Sequence, residues 1–342
     1  LGSLLAGCGS SGGGSAPKAD ATAAAAPAGG GTEEVTTPDK VLKFTDQNAE
    51  DSPAGMWEQK FADLVKEYTK GHIEVELYFN NTLCGYDIQP LQAGICDFIQ
   101  YVPSSAGDLD SRLGAFDAPY IYRDADHRLA VFDPFNSEPL KVINEALKDD
   151  GVMLLSSFNS GYRQITCNFP IRNLSDMKGA KIRVVPSDLY QQLFTAFGAA
   201  ATPMAFSEVP TALITNVIDG QENPYSVIVS SALYEVQKYC METNHLPTNH
   251  GLWMNRNTYE SLTPEQQEAV LKAAYDASAY MDKYILDKVE EYKKICEDNG
   301  MEIIDAENGL DIDGFKAAAE NVYDYFAEDW GDMPDLIRAV QP

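Results

Sequence analysis

Basic residues are scarce in this sequence. It contains 25 Lys and Arg against 52 Asp and Glu, so the formal net charge of the 342 residues is −27. Nucleic acid is excluded as a partner, because there is no basic surface to displace the counterions of the phosphates. Charge-driven binding to an anionic membrane is excluded on the same ground. An anionic ligand must therefore be bound where arginines are concentrated locally.

Signatures of enzymes and metal sites are also few. The sequence has no GxxxxGK[ST] motif, no HExxH motif and no CxxC pair, and it has only four histidines. His245 and His250 lie close together in NHLPTNH, but their spacing suits a loop better than one helical face. Among 52 acids, chance carboxylate pairs are unavoidable, so no acid–base dyad is assigned. We therefore predict a protein that is not an enzyme and binds neither a metal nor a cofactor.

The cysteines leave two interpretations open. Beyond Cys8 the sequence has five, which is an odd number, so at least one stays unpaired within a monomer. Cys84 and Cys96 flank a short segment. A disulfide between them, formed outside the cell, and isolated buried thiols are both compatible with this spacing.

The N-terminal 40 residues differ in composition from the rest. A short apolar run, LGSLLAGC, precedes a tract rich in Gly, Ser, Ala and Pro. Leu5-Ala6-Gly7-Cys8 resembles the lipobox of bacterial lipoproteins, whose cysteine is lipidated once the signal peptide is removed. We predict that residues 1–8 are the end of a lipoprotein signal, that Cys8 is lipidated and that residues 9–40 are a flexible linker. A disordered start with a chance cysteine is the alternative.

Strand and helix patterns alternate from residue 41 onward. VLKF, HIEVELYF, CDFIQYV, VMLLSSF, GYRQITCNF, KIRVV, YEVQKYCMET, HGLWMNR and MEIID read as strands. PAGMWEQKFADLVKEYTKG, DLYQQLFTAFG and SEVPTALITN, the last capped by Ser207, read as helices. This alternation predicts an α/β fold with a parallel sheet. A helical pattern of about 35 residues starting at TPEQQ is too long for one domain face, so we expect it to span two lobes.

Two arginines occur within strand patterns: Arg163 in GYRQITCNF and Arg183 in KIRVV. A single arginine of this kind points to solvent more often than not. Two on neighbouring strands, each near a strand end, favour an anion clamp, because guanidinium offers a planar fork to a carboxylate. Phe206 is a candidate apolar wall of that site, with ordinary core packing as the alternative. The polar stretch VIDGQENPY, residues 217–225, would by itself be a solvated loop.

Two long runs carry a more specific signal: SGYRQITCNFPIRNLSDMKGAKIRVVPSD and FGAAATPMAFSEVPTALITNVIDGQENPYSVIVSSALYEVQKYCMETNH. They resemble the solute-binding proteins of TRAP (tripartite ATP-independent periplasmic) transporters, and the similarity covers roughly residues 41–342. The resemblance implies a two-lobed periplasmic-binding-protein-like fold with a ligand cleft between the lobes. It also implies that Arg183 makes the main salt bridge to a ligand carboxylate and Arg163 assists. Asn223 would donate to the same carboxylate from a turn, and Phe206 would pack on the ligand.

Three departures from the family pattern matter. The segment LCGYDIQPLQAGICDF is several residues shorter than usual, so Asp87 is not carried over as a ligand residue. Val102 stands where sialic-acid binders of the family have a glutamate, which argues against sialate. Pro210 replaces a larger residue, but proline is tolerated in the first turn of a helix.

The resemblance also implies how the lobes are divided. One comprises residues 41–160 plus 249–288, and the other residues 161–248 plus 289–342. Asn48, Trp57 and Ser104 are the candidates for covering the ligand from the first lobe. The implied function is a monomeric, extracytoplasmic, lipid-anchored receptor that delivers a small carboxylate-bearing acid to TRAP permease subunits. A sensory binding protein and a surface-anchored hydrolase of sugar acids remain alternatives.

Overall fold

The computed structural model describes residues 37–342, and the predicted lipidation site Cys8 lies outside them. Within this range the strands form two sheets. The first sheet has the order β2 (Ile73–Tyr78), β1 (Lys40–Thr45), β3 (Phe98–Tyr101), β10 (Asn249–Asn255) and β4 (Val152–Asn159). The second has the order β11 (Glu302–Ile304), β9 (Tyr239–Met241), β5 (Arg163–Cys167), β8 (Gly220–Pro224), β6 (Lys181–Val184) and β7 (Ala200–Pro203).

The helices surround these sheets. They are α1 (Pro53–Tyr68), α2 (Gln89–Gln92), α3 (Ala125–Val131), α4 (Glu138–Ala146), α5 (Leu174–Met177), α6 (Asp188–Ala196), α7 (Val209–Ile214), α8 (Tyr225–Ser230), α9 (Arg256–Glu260), α10 (Pro264–Asp298), α11 (Ile312–Tyr325), α12 (Ala327–Trp330) and α13 (Met333–Ala339). The 35-residue helix α10 coincides with the long predicted helix. It begins at a capping box, in which Thr263 and Gln266 bond to each other's backbone N–H groups, and it has proline at its first position.

An aromatic core lies between the first sheet, α1 and α10. Phe44 packs edge-on against Trp57 and Phe61, with ring centroids 6.3 and 6.0 Å apart. The same core contains Phe98 and Phe158. Burial of such rings is the main source of stability for a sheet covered by helices, and it holds α1 and α10 against the first sheet.

Both sheets are mixed, so the prediction of a parallel sheet was wrong in part. In the first sheet β10 runs antiparallel to β3 and β4, and in the second β5 runs antiparallel to β8 and β9. The strands β5 and β10 each follow a crossing of the chain from one sheet to the other. The direction of a strand after such a crossing depends on the edge at which the chain enters the second sheet. Local sequence periodicity carries no information on that.

Three predicted segments differ from the structure. The stretch VIDGQENPY is not a turn, because its residues Gly220–Pro224 form the buried strand β8. Only Tyr239–Met241 of YEVQKYCMET is a strand, and Leu233–Glu235 is a 3-10 turn. Ser207 caps no helix, since Phe206–Glu208 is itself a 3-10 turn before α7.

Within residues 37–342 the chain crosses between the sheets three times, from β4 to β5, from β9 to β10, and through α10. Arg128, which is 1% exposed, joins these crossings. Its guanidinium donates to Asn249 Oδ1 at 2.8 Å, to Asp282 Oδ2 at 2.7 Å and to Ser157 Oγ at 3.0 Å. Asp282 Oδ1 also accepts from the backbone N–H of Asn159 at 2.7 Å. One buried ion pair therefore holds β4, β10 and α10 together where the two sheets meet.

Candidate functional site

Three of the predicted ligand residues lie at one edge of the second sheet. Arg163 begins β5 and Arg183 lies near the carboxyl end of β6. Asn223 lies near the end of β8, and Arg163 pairs with Pro224 of that strand. Since β6 and β8 are parallel and β5 runs opposite, all three reach the same edge, where α/β proteins bind ligands. We call these three residues the arginine edge.

Arg163 is already paired within the protein. Its Nε and Nη2 contact the Glu222 carboxylate, and Nη2 also donates to the Glu222 carbonyl at 2.9 Å and to Asn223 Oδ1 at 3.0 Å. Burial alone would lower the pKa of Arg163, but the charge of Glu222 outweighs it, so the pKa is raised. Burial likewise opposes ionisation of Glu222, yet Arg163 and His245 keep its pKa below the ordinary value. The pair is therefore a buried, charged ion pair.

Arg183 has no such carboxylate. It is 3% exposed, and its Nε and Nη2 donate to the Met204 carbonyl at 2.9 and 2.7 Å. Among the ion pairs of residues 37–342, Arg183 takes part in none. Burial lowers its pKa; Glu222 opposes that effect and Arg163 adds to it. Arg183 is thus a buried cation that lacks an anion.

Phe206 stands next to this cation, on the turn after β7. The Arg183 guanidinium lies 5.7 Å from the centroid of its ring, within range of a cation–π contact. The Phe206 side chain is nevertheless 38% exposed. An exposed aromatic ring over a buried guanidinium provides an apolar wall beside an anion-binding group.

The Asn223 amide is engaged on both sides in this structure. Its Oδ1 accepts from Arg163 at 3.0 Å and its Nδ2 donates to Gln221 Oε1. Gln221 in turn donates to Thr166 Oγ1 at 2.9 Å. The polar side chains of GQENP therefore bond to one another and to the neighbouring strand β5.

The three candidates from the first half of the chain occupy different environments. Asn48 is partly exposed and donates to both oxygens of Asp46 at 3.0 Å. Trp57 is fully buried in the aromatic core. Ser104 donates its backbone N–H to Asp117 at 2.9 Å and lines a cavity of about 260 Å³ together with Ser187, Leu189 and Trp330. Ser104 thus lies where segments of both sheets approach each other.

Two groups of functional candidates are absent from the sequence prediction. The first is Glu222, whose partners come from β5 and from the chain after β9. The second is an acid pair in the first half of the chain, Asp46 and Glu58, which lie in contact. Glu58 stands on the apolar face of α1 between Trp57 and Phe61. An ionisable residue on such a face is rare, and this was the feature of the sequence that could have identified Glu58 as a candidate.

The remaining predictions concern cysteines, metals and membranes. Cys84, Cys96, Cys167, Cys240 and Cys296 are free thiols, so Cys84 and Cys96 form no disulfide here. The two are neighbours, and burial together with Cys84 raises the pKa of Cys96 to about 12. Residues 37–342 contain no group of three or more His, Cys, Asp or Glu side chains placed to hold a metal ion. Within the same range, no helix is long and apolar enough to cross a bilayer.

Two sheets joined by three crossings, with a buried arginine pair at one edge, are the features of a two-lobed solute-binding protein. Comparison with known proteins specifies the family. Residues 44–329 match the model of the bacterial extracellular solute-binding proteins of family 7, the DctP family, and the chain belongs to this family. It is a family of binding proteins that work with TRAP membrane components.

Three relatives illustrate the likeness. The 2,3-diketo-L-gulonate-binding periplasmic protein YiaO of Escherichia coli is 30% identical over 87% of this chain and 90% of its own length. An open apo TRAP solute-binding protein from Rhodobacter sphaeroides is 29% identical, with a TM-score of 0.81 over 88% of this chain and 99% of that one. A homologue from Xanthobacter autotrophicus with bound β-D-galacturonate is also 29% identical, with a TM-score of 0.73 over 88% and 100% of the two chains. The predicted family and the two-lobed fold are thereby confirmed.

Proposed function

We propose that the arginine edge and Phe206 bind the carboxylate of a small organic acid, which the protein captures outside the cytoplasm for a TRAP permease. The observation that carries this proposal is the state of Arg183. It is a buried cation with no ion-pair partner among residues 37–342, and such a charge is costly unless an anion completes it. A carboxylate fits because its two oxygens match the fork of a guanidinium.

The two arginines have different roles in this proposal. Glu222 neutralises Arg163 and holds it in place, so Arg163 contributes a positioned donor without a free charge. Arg183 supplies the charge. Asn223 joins them by turning its amide from Gln221 toward the ligand, and Phe206 covers the apolar part.

The exposure of Phe206 and the higher TM-score with an open apo relative than with a galacturonate complex support an open conformation of this structure. Ligand binding would then bring the lobes together, as in other hinged two-lobed proteins. We propose that residues 41–160 plus 249–288 form one lobe and residues 161–248 plus 289–342 the other. The C-terminal helices α12 and α13 bridge the two, since the carbonyls of Arg338 and Val340 accept from Arg123 at 2.8 Å.

The relatives support an organic acid as ligand. The Escherichia coli relative is a diketo-gulonate-binding protein, and the Xanthobacter structure contains galacturonate. Both compounds are sugar acids with one carboxylate. We also propose that the protein catalyses no reaction and is monomeric, because a receptor with one clamp needs neither a nucleophile nor a second copy.

Titration calorimetry with galacturonate and related acids tests the clamp. Arg183→Ala should weaken binding by about thirty-fold to several thousand-fold, because it removes one partner of a desolvated charge pair. Arg183→Lys should also bind poorly, since an ammonium group cannot form the two-point contact. Arg338→Ala, which removes an exposed arginine, is the control and should bind like the wild type. Binding by folded Arg183→Ala within about three-fold of the wild type would refute the assignment.

The anchor is a separate part of the proposal. LLAGC followed by a low-complexity tract supports lipidation of Cys8 and attachment to a membrane surface. Fractionation of cells that express Cys8→Ala should then show release into the soluble fraction, whereas unchanged membrane retention would contradict lipidation.

A further inference from the structure

A polar cluster of the opposite charge lies at the carboxyl-end edge of the first sheet. It consists of Asp46, Glu58, Gln100, Ser156 and His250, which we call the acidic pocket. Glu58 and Ser156 are fully buried, Gln100 is 1% exposed and Asp46 is 2% exposed. These residues come from α1, the loop after β1, and strands β3, β4 and β10.

The sheet register places them together. Asp46 follows Thr45, which pairs with Ile99, so Asp46 lies beside Gln100 of β3. Leu252 pairs with Gln100 on one side and with Ser156 on the other, so these side chains share the sheet face that α1 covers. Glu58 reaches Asp46 from α1. His250 stacks on Phe158 with ring centroids 4.5 Å apart, and Phe158 packs against Trp57 at 4.8 Å.

Most polar atoms of the pocket have no hydrogen-bond partner among the residues described. They are both Glu58 oxygens, both ends of the Gln100 amide, Ser156 Oγ, His250 Nδ1 and the neighbouring Trp57 Nε1. In folded proteins about nine in ten buried polar groups are bonded, so several unbonded ones around one point need an explanation. The group that interacts with Glu58 is another carboxyl group, that of Asp46, and two carboxyls in contact bond only by sharing a proton.

We propose that the acidic pocket binds the distal end of the ligand through its hydroxyl groups, so that the ligand is a polyhydroxy acid with a single carboxylate. This inference rests on the proposed carboxylate clamp and specifies its ligand. A hydroxyl group both donates and accepts, and the pocket offers unbonded groups of both kinds. Asp46 and Glu58 accept, Trp57 Nε1 donates, and Gln100 and Ser156 do either.

The same pocket rejects a second carboxylate. Neither Asp46 nor Glu58 is paired with a lysine or arginine among the ion pairs of residues 37–342, so an incoming carboxylate would meet two acids and no cation. The ligand gains access by displacing Asn48, which is partly exposed and now occupies both oxygens of Asp46.

Pairs of acids with the same carbon skeleton test this inference. Galactonate ends in a hydroxyl group where galactarate has a second carboxylate, and gluconate and glucarate differ in the same way. Calorimetry on the purified protein should show that the dicarboxylate of each pair binds at least about thirty-fold more weakly, since like charges in contact are strongly unfavourable. The variants Asp46→Asn and Glu58→Gln keep the side-chain shapes. In them the ratio of the two affinities, monocarboxylate over dicarboxylate, should fall at least several-fold. Glu74→Gln, an exposed acid of the same sheet, is the control and should leave it unchanged.

The outcomes separate this inference from the proposed function. If galactarate or glucarate binds as tightly as its partner, or if the ligand proves to be an acid without hydroxyl groups, the acidic pocket is not the distal site, even when Arg183→Ala abolishes binding. If the ratio is the same in Asp46→Asn, Glu58→Gln and the wild type, the pocket has only a structural role. Tight binding that survives Arg183→Ala would overturn the clamp instead.

Discussion

The carboxyl-end edges of the two sheets are buried to a similar degree but have opposite chemistry. At the second sheet two arginines meet one carboxylate, so one positive charge is left over on Arg183. At the first sheet the carboxyl groups of Asp46 and Glu58 are in contact, and neither forms an ion pair with a lysine or arginine within residues 37–342. A ligand between the edges would therefore bind with its carboxylate toward the second sheet and its hydroxyl groups toward the first.

The comparison also shows two ways of keeping a charge inside a protein. Arg163 and Glu222 are ionised because each balances the other, with His245 as a further neighbour. Glu58 has no such partner, and burial followed by Asp46 raises its pKa well above the ordinary value. Removing one partner of a buried charge pair costs stability because the other charge is left unpaired, whereas a charge that is already unpaired costs stability until a ligand or a proton completes it. Variants that break a charge pair and variants that remove an unpaired charge should therefore affect stability in opposite directions.

The largest effect is expected from Glu222→Gln. This change leaves Arg163 buried without a counterion and should lower the free energy of unfolding by about 3–5 kcal/mol. Urea unfolding at neutral pH measures the change. Glu302→Gln is the matched control, because it removes the carboxylate of an exposed pair with Arg172 and should change little. A loss below about 1 kcal/mol in Glu222→Gln would mean that Arg163 does not depend on Glu222, and the contrast between the arginines would fail.

Arg183→Met should have the opposite sign. Removing a buried cation that has no counterion relieves its desolvation cost, and loss of the two bonds to the Met204 carbonyl offsets part of that gain. We expect the ligand-free protein to become more stable by about 1–2 kcal/mol, while carboxylate binding is lost. Arg163→Met provides the comparison, since it leaves Glu222 unpaired and should destabilise. Thermal unfolding of both variants without ligand measures these changes in stability. Destabilisation by both variants would show that Arg183 is not an unpaired charge.

The sequence predicts the elements of the fold better than their arrangement. The helix α10 was predicted in full, because its pattern has strong caps and no breaker over 35 residues. The directions of β5 and β10 were not, because they depend on where the chain returns after a crossing. The stretch GQENP looked like a turn because it is polar. Its partners Arg163 and Thr166 lie 59 and 55 residues away, and no local pattern shows that they would satisfy it.

The same limit applies to the candidate site. Arg163, Arg183, Phe206 and Asn223 were found from their strand context and from a family resemblance, and the structure brings the four together. Glu222 and Asp46 could not be chosen among 52 acids without knowing which of them are buried. Trp57, predicted to cover the ligand, lies within the aromatic core with only its Nε1 directed to an unbonded position. Its part in ligand binding stays a prediction.

The smallest effect concerns Glu58 and depends on pH. Burial first, and then Asp46, raise its pKa well above the reference value of 4.5. Above pH 4.5 the folded protein therefore keeps a proton that the unfolded chain has released, so its stability falls as pH rises toward the folded pKa. Glu58→Gln has no such proton. The stability of the variant relative to the wild type should thus increase with pH, by at most about 1.4 kcal/mol per pH unit, until the pH reaches the folded pKa of Glu58.

Urea unfolding of both proteins at about pH 5 and about pH 8 measures this difference. The other ionisable groups facing Glu58 are Asp46 and His250. Burial lowers the pKa of His250 to about 4, so its ring stays neutral over this range and does not obscure the result. Glu74→Gln controls for the loss of one acid from the same sheet and should show the same difference at both pH values. A pH-independent difference for Glu58→Gln would mean that the carboxyl titrates as an ordinary glutamate. The two edges would then not differ in how they hold their charge.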